Sequence, residues 1–261
     1  MRIALCIEYK GTNYFGWQTQ KINKNKTIQH YVDSAISKVA NHSIKSTCGG
    51  RTDTGVHAFM QVIHFDTSSK RTKHNWLKGI NCFLPNDILV KDVIFVDKSF
   101  HARFSVLDRT YRYIILNRKQ SMILFNDNFL HVEDKINLDK IKATLKYLKG
   151  EKDFSSFRGA GCASSSPVKK IKSINIKAKN DFIIIDIKAN SFLYHMCRNL
   201  VGFFLEVGIG KIRLKDVKNL IESKDRKNLG ISVAPHGLYL FKINYPKKFN
   251  IQTNSQFKVS I

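Results

Sequence analysis

The sequence is short of acid. Among its 261 residues, 20 Asp and Glu stand against 44 Lys and Arg, a formal charge of +24 at pH 7. No cluster of carboxylates is visible that could hold the paired cations of a metal-dependent nuclease. Five cysteines, Cys6, Cys48, Cys82, Cys162 and Cys197, are odd in number, widely spaced and without a CxxC pair. They read as buried thiols of a reducing cytosol and not as a disulfide framework or a zinc ribbon. None of the nine histidines falls in HExxH, so a protein-bound metal is not expected. Long hydrophobic runs are also missing: the apolar stretch in MRIALCIEYK is too short for a signal peptide, and nothing reaches the length of a membrane span. These absences predict a cytoplasmic protein whose chemistry is organic.

What is abundant is positive charge. Excess of this size attracts polyanions and points to nucleic acid. A coding bias toward A and T, which enriches Lys, Asn and Ile, accounts for part of the lysine, but it does not by itself remove acids. The length allows one or two domains with a substantial core.

Periodicity then orders the chain. RIALCIEY, residues 2–9, reads as a strand that ends in the loop GTNYFGWQTQ. Thr27 is a candidate N-cap for a helix whose apolar face is Ile28, Val32, Ala35, Ile36 and Val39, with Asn41 ending it. A strand near 44–48 feeds CGGRTDTGVHA, and QVIHFDT, 61–67, alternates as a strand does. A short helix near 74–83, a strand near 88–96 and the turn FHARF complete a β-α-β-β-α-β first half. In the second half, RTYRYIILN, 109–117, is a strand with Tyr111 and Tyr113 on one face. A helix at 138–149 is capped by Asn137; RGAGCASSSP is a small-residue loop; strands at 168–177 and 181–188 form a hairpin. The clearest helix runs from Tyr194 to Val207, with Met196, Leu200, Phe203 and Val207 buried and Arg198 on another face. A helix at 213–222 and a strand at 237–245 close the fold, followed by a basic, weakly ordered tail.

The stretch from Cys48 to Ala58 holds Arg51 and Asp53 among Gly and Thr. Gly49, Gly50 and Gly55 permit φ > 0 or close backbone approach, which suits a loop presenting one acid to a large substrate. On composition alone, a turn between two elements in which Thr52 or Asp53 caps the next segment is the favoured reading.

The string GRTDTGVHA resembles the signature loop of the tRNA pseudouridine synthase A family. The resemblance runs over about residues 3–246, through YKGTNYFGWQTQ, TIQHYVDSAI, LPNDILV, FHARFSVLDRTYRY, KDFSSFR, FLYHMCRNLVG and GLYL in family order. Lys10 stands where an acid is usual, and VAPHG departs from the usual APAHG. The resemblance implies an α+β fold of two related ferredoxin-like halves with joined sheets, helices on one face and a cleft between them. The halves are expected at 1–106 and 107–246, with 247–261 as the tail. It also implies a homodimer that isomerises uridine in the tRNA anticodon stem-loop, at tRNA positions 38 to 40, with no metal and no cofactor. Asp53 is then the catalytic nucleophile, Tyr111 the ring beside the target base, and Arg198 the cation that keeps a buried carboxylate ionised. Arg51, two residues before Asp53, is the candidate wedge for the gap left by an extruded base and a phosphate contact, or else a brace for its own loop. His57 reads as a structural hydrogen-bonder. An RNA-binding protein without turnover is the alternative from another class.

Overall fold

The computed structural model describes residues 1–20 and 22–251. In chain order the elements are β1 (Arg2–Tyr9), α1 (Ile28–Ala40), β2 (Thr47–Cys48), β3 (His57–Asp66), α2 (Lys73–Phe83), β4 (Ile88–Val96), β5 (Asp108–Asn117), β6 (Leu130–Val132), α3 (Leu138–Thr144), β7 (Gly150–Asp153), β8 (Val168–Lys179), β9 (Phe182–Ala189), α4 (Met196–Gly208), α5 (Val217–Glu222) and β10 (Leu238–Asn244). They form two compact units. Of the described residues, the first takes Met1–Arg109 together with 239–251, and the second is Thr110–Leu238. The closing strand, placed by linear order with the second half, therefore packs with the first.

In the first unit β1 lies between β3 and β4, antiparallel to both. On the other side of β3, β2 is antiparallel and β10 parallel. Strand order 4-1-3-2 in a β-α-β-β-α-β chain is the ferredoxin-like arrangement. The core follows from β1, in which Ile3, Ala4, Leu5 and Ile7 have no exposed surface. Helix α2 packs on α1 where Gly79 meets Val39. Asn41 ends α1 in the left-handed region at φ 59, as its position suggests.

In the second unit the order is β5-β9-β8-β7, with β6 parallel to β5. The progression β5, α3, β8, β9, α4 repeats that of the first unit, with the first strand beside the third. Asn137 caps α3 by accepting from Asp139 N and Lys140 N, both at 3.0 Å. Ile183, Ile185 and Ile187 of β9 are buried, and Met196, Leu200, Phe203 and Val207 of α4 have no exposed surface. Both units are mixed helix and sheet, so the α+β class holds.

Several expectations shift. The strand expected over 44–48 shrinks to Thr47–Cys48 because main-chain donors there turn toward α1: Ile44 N bonds Ser37 Oγ at 2.9 Å and Ser46 N bonds Asp33 Oδ1 at 3.1 Å. Helix α4 begins two residues later than its apolar spacing predicts, since His195 sits at φ 58 and cannot lie within a right-handed helix. The helix expected from 213 starts only at Val217, after the Arg213–Asp216 ion pair has closed a turn at 2.8 Å. Among the thiols, Cys6 and Cys197 are buried, whereas Cys82 is exposed in the last turn of α2. In the tail, Lys247–Phe249 forms a 3-10 turn with Phe249 packed edge-on against Phe100 at 5.1 Å; residues 252–261 lie outside the described residues.

Candidate active site

The loop carrying Arg51 and Asp53 is gripped by the loop that follows β1. Trp17 N donates to Thr52 O at 3.0 Å, and Gly55 N to Tyr14 O at 3.2 Å. Within the loop itself, Val56 N bonds Asp53 O at 3.1 Å. The two loops meet so closely at Gly11 that a Cβ there would overlap the carbonyl oxygen of Val56. The hydroxyls of Tyr9 and Thr52 share a hydrogen bond of 2.7 Å, with Tyr9 fully within the core. Gly55 has φ 76, the left-handed conformation that its type permits.

The base of the loop is held from below. Gln61 of β3, with no exposed surface, donates from Nε2 to Gly50 O at 2.5 Å and accepts from Gly50 N at 3.2 Å. Arg109 donates from Nε and Nη2 to Gly49 O at 2.8 and 2.5 Å. Gly49 has no positive φ; it lies beneath the hydroxyl of Tyr245, which leaves no room for a side chain. This arrangement buries Thr52, Gly55 and Val56, leaves Arg51 and Thr54 exposed, and holds Asp53 half-buried between them. The loop thus fixes the main chain at Asp53 and leaves the residue partly accessible. His57 serves the loop structurally, accepting from Gly11 N at Nδ1 (3.0 Å) and stacking on Tyr239 at 4.7 Å.

Tyr111 and Arg198 belong to the second unit. Tyr111, 8% exposed, meets Phe192 edge-on at 5.0 Å. On the opposite face of β5, Arg112 makes a two-pronged ion pair with Asp186 at 2.7 and 2.8 Å. Tyr113 is buried and donates to Ala234 O at 2.6 Å; burial pushes its phenol well above the ordinary range. Arg198 is no surface arginine: its Nε donates to Val233 O at 2.7 Å and its Nη1 lies 3.2 Å from His195 Nε2. The His195 ring is held below its ordinary pKa by burial, then by the charges of Arg198 and Arg226, so Nε2 is left as an acceptor.

The small-residue loop 158–167 is tethered to the start of α4. Gly159 N bonds Tyr194 O at 2.8 Å, and Tyr194 N bonds Cys162 Sγ at 3.3 Å. Arg158 Nη2 spans the loop to Cys162 O and Ser164 O at 2.8 and 2.7 Å. VAPHG also finds its place: Pro235 opens a 3-10 turn, and Ala234 just before it receives the Tyr113 hydroxyl.

Arg51 and Asp53 thus share one loop of the first unit, while Tyr111 and Arg198 share the second. Sequence reading did not single out Gln61 or Arg109. The available signal was an Arg at the head of RTYRY; Gln61, in the middle of β3, gives none. Among the described residues, no three His, Cys, Asp or Glu side chains gather as a metal site requires.

A family model described as tRNA pseudouridine synthase matches residues 5–105 and 144–246. The tRNA pseudouridine synthase A of Vibrio campbellii is 45% identical over 251 residues, covering 96% of this chain and 94% of its own. That of Buchnera aphidicola subsp. Acyrthosiphon pisum is 44% identical over 248 residues, covering 95% and 92%. Among solved structures, a chain of "Crystal Structure of a Cbf5-Nop10-Gar1 Complex" is 15% identical with a TM-score of 0.35, covering 77% of this chain and 54% of that one, a likeness too slight to carry an argument. With its matched segments taking in both the gripped loop around Asp53 and the helix bearing Arg198, the chain belongs to the tRNA pseudouridine synthase family, a family of isomerases.

Proposed function

We propose that the chain converts uridine to pseudouridine in the anticodon stem-loop of tRNA, at tRNA positions 38 to 40, acting as a cytoplasmic homodimer without metal or redox cofactor. The reaction breaks the bond from N1 to the ribose, turns the base, and joins C5 to the same ribose carbon. The proton leaves C5 and N1 gains one, so atoms and charge balance with no external electron donor. Asp53 is the nucleophile, adding to the base or to the ribose carbon. One observation carries this reading: Asp53 sits half-buried on a loop whose main chain is bonded at Thr52, Asp53 and Gly55. A preset carboxylate of this kind gives the fixed attack geometry that catalysis rewards.

A base stacked in a stem is out of reach, so the uridine is extruded, at about a few kcal/mol. Exposed Arg51, two residues from Asp53, fills the gap and contacts phosphate. Tyr111 offers its ring to the extruded base, worth about 1–3 kcal/mol in stacking. Arg198 supplies the cation that keeps the reacting carboxylate ionised. No helix among the described residues is long and apolar enough to cross a membrane.

The test is Asp53→Asn, assayed by tritium release from C5 of labelled uridine in tRNA. Turnover should fall by at least about three orders of magnitude. Affinity for tRNA should stay near wild type, since basic residues supply most of it. Appreciable turnover by the purified variant would refute the role of Asp53.

A further inference from the structure

Between α5 and β10 the chain has little regular structure: a 3-10 turn at Arg226–Asn228 and another at Pro235–Gly237. Yet it is bound along one stripe of α4. Arg198, Gly202 and Glu206 are spaced i, i+4, i+8, with Asn199 beside them, and they face this strap while the apolar stripe faces the core. Arg198 and Val233 bond in both directions: Val233 N reaches Arg198 O at 3.5 Å and Arg198 Nε reaches Val233 O at 2.7 Å. One turn further on, the strap comes so close that a Cβ on Gly202 would fall inside the carbonyl oxygen of Ile231. At the strap's start, Arg226 donates from Nη2 to Asn199 Oδ1 at 3.2 Å and from Nη1 to Gly230 O at 2.8 Å, while Asn199 Nδ2 bonds Phe157 O at 2.9 Å. Leu229 and Val233 are 1% and 3% exposed, so the strap is anchored by apolar side chains as well.

We propose that residues 226–234 act as a positioning strap for Arg198, with Gly202 and Arg226 as the positioning residues that seat it. A guanidinium is planar, so a bond at Nε fixes the direction of its two terminal nitrogens. The carbonyl of Val233 provides that bond, and its position is set by the Ile231 carbonyl in the notch at Gly202 and by Arg226, which ties the strap to Asn199, together with the buried side chains of Leu229 and Val233. Neither residue touches substrate. The inference rests on the reading of Arg198 given above and extends it to residues one helical turn and a loop away.

Two measurements test it. The first needs no activity: in protein labelled with nitrogen isotope at arginine, the Nε–H of Arg198 should exchange slowly in wild type and fast in Gly202→Ala and in Arg226→Met. Unchanged protection in both folded variants would overturn the proposal. The second compares these variants with Arg198→Met in turnover on tRNA. We expect kcat down by about tenfold or more with KM little changed, an acid limb of the pH profile moved upward as in Arg198→Met, and no further loss on combining either with Arg198→Met. Losses that multiply with that of Arg198→Met would overturn it. His195, Tyr113 and His236 are the titratable groups within reach of the charge of Arg198, and none of them lies in residues 226–234; Arg226, which does, keeps its charge in Gly202→Ala, so a shifted limb there reports the guanidinium's position. A silent Arg198→Met, with exchange behaving as expected, would instead refute the reading of Arg198 while the strap's hold on it stood. If Gly202→Ala does not fold, Arg226→Met reads the same quantities.

Discussion

Asp33 shows what burial does to a carboxylate in this chain. Its Oδ1 accepts from Ser46 N at 3.1 Å and from Ser46 Oγ at 2.5 Å, bonds that favour the ionised form. Burial outweighs them and pushes its pKa up to about 6. The folded state therefore binds a proton that the unfolded chain has already released at pH values from about 4 to 6. Stability contributed by Asp33 is present below that window and is lost as pH rises through it. Asp33→Asn keeps an acceptor for Ser46 and removes the titration. Its stability relative to wild type should therefore rise between pH 4 and 7, by an amount on the order of 1–3 kcal/mol, in urea melts at the two ends of the range. A flat difference would mean that the carboxyl is ionised throughout. His64 acts in the opposite sense: burial, followed by the charges of Arg2 and His101, lowers it to about 4, so the folded protein loses stability as pH falls from the ordinary histidine range. Only the difference between variant and wild type isolates Asp33.

At the scale of elements, α1, α2, β4, β8 and β9 were legible because their side chains repeat, whereas the helix expected over 138–149 ends at Thr144 and the strand expected over 61–67 begins at His57. The apolar spacing from Ile28 to Val39 marks α1, and β4 occupies Ile88–Val96 as expected. Short strands were not. β6 and β7 hold three and four residues, too few for alternation to show, and they are strands only because β5 and β8 lie beside them. The candidate loop was legible as a string, but what grips it was not: Gly11 and Gln61 act through tertiary contacts that no local pattern announces. Gly11→Ala should push Val56, and with it the Asp53 loop, out of place. A shift of about 1 Å in a reacting group costs about a hundredfold in rate, so turnover should fall by about that factor while tRNA affinity holds. Full activity would show that the loop has slack. Asn137→Ala, by contrast, strips the cap from α3 and should cost about 0.5–2 kcal/mol in stability with turnover per folded molecule unchanged. An unchanged urea midpoint would mean that the cap's two bonds contribute nothing.

For the whole molecule, the charge of +24 is the feature that composition alone cannot assign. If it forms a tRNA-binding face, log K should fall by about 0.7–0.9 per phosphate contact for each log unit of salt. A slope of several units is expected, steeper for whole tRNA than for an isolated anticodon stem-loop if the proposed dimer cradles the tRNA body and makes contacts beyond the target arm. Equal slopes would confine binding to that arm, and a slope near zero would return the lysines to coding bias. The proposed reaction is tested by incubating tRNA that lacks modifications with the purified protein and mapping every pseudouridine by chemical sequencing. New pseudouridine is expected at tRNA positions 38 to 40 with wild type and none there with Asp53→Asn. New pseudouridine only outside the anticodon stem-loop, or at the same positions with Asp53→Asn, would contradict it.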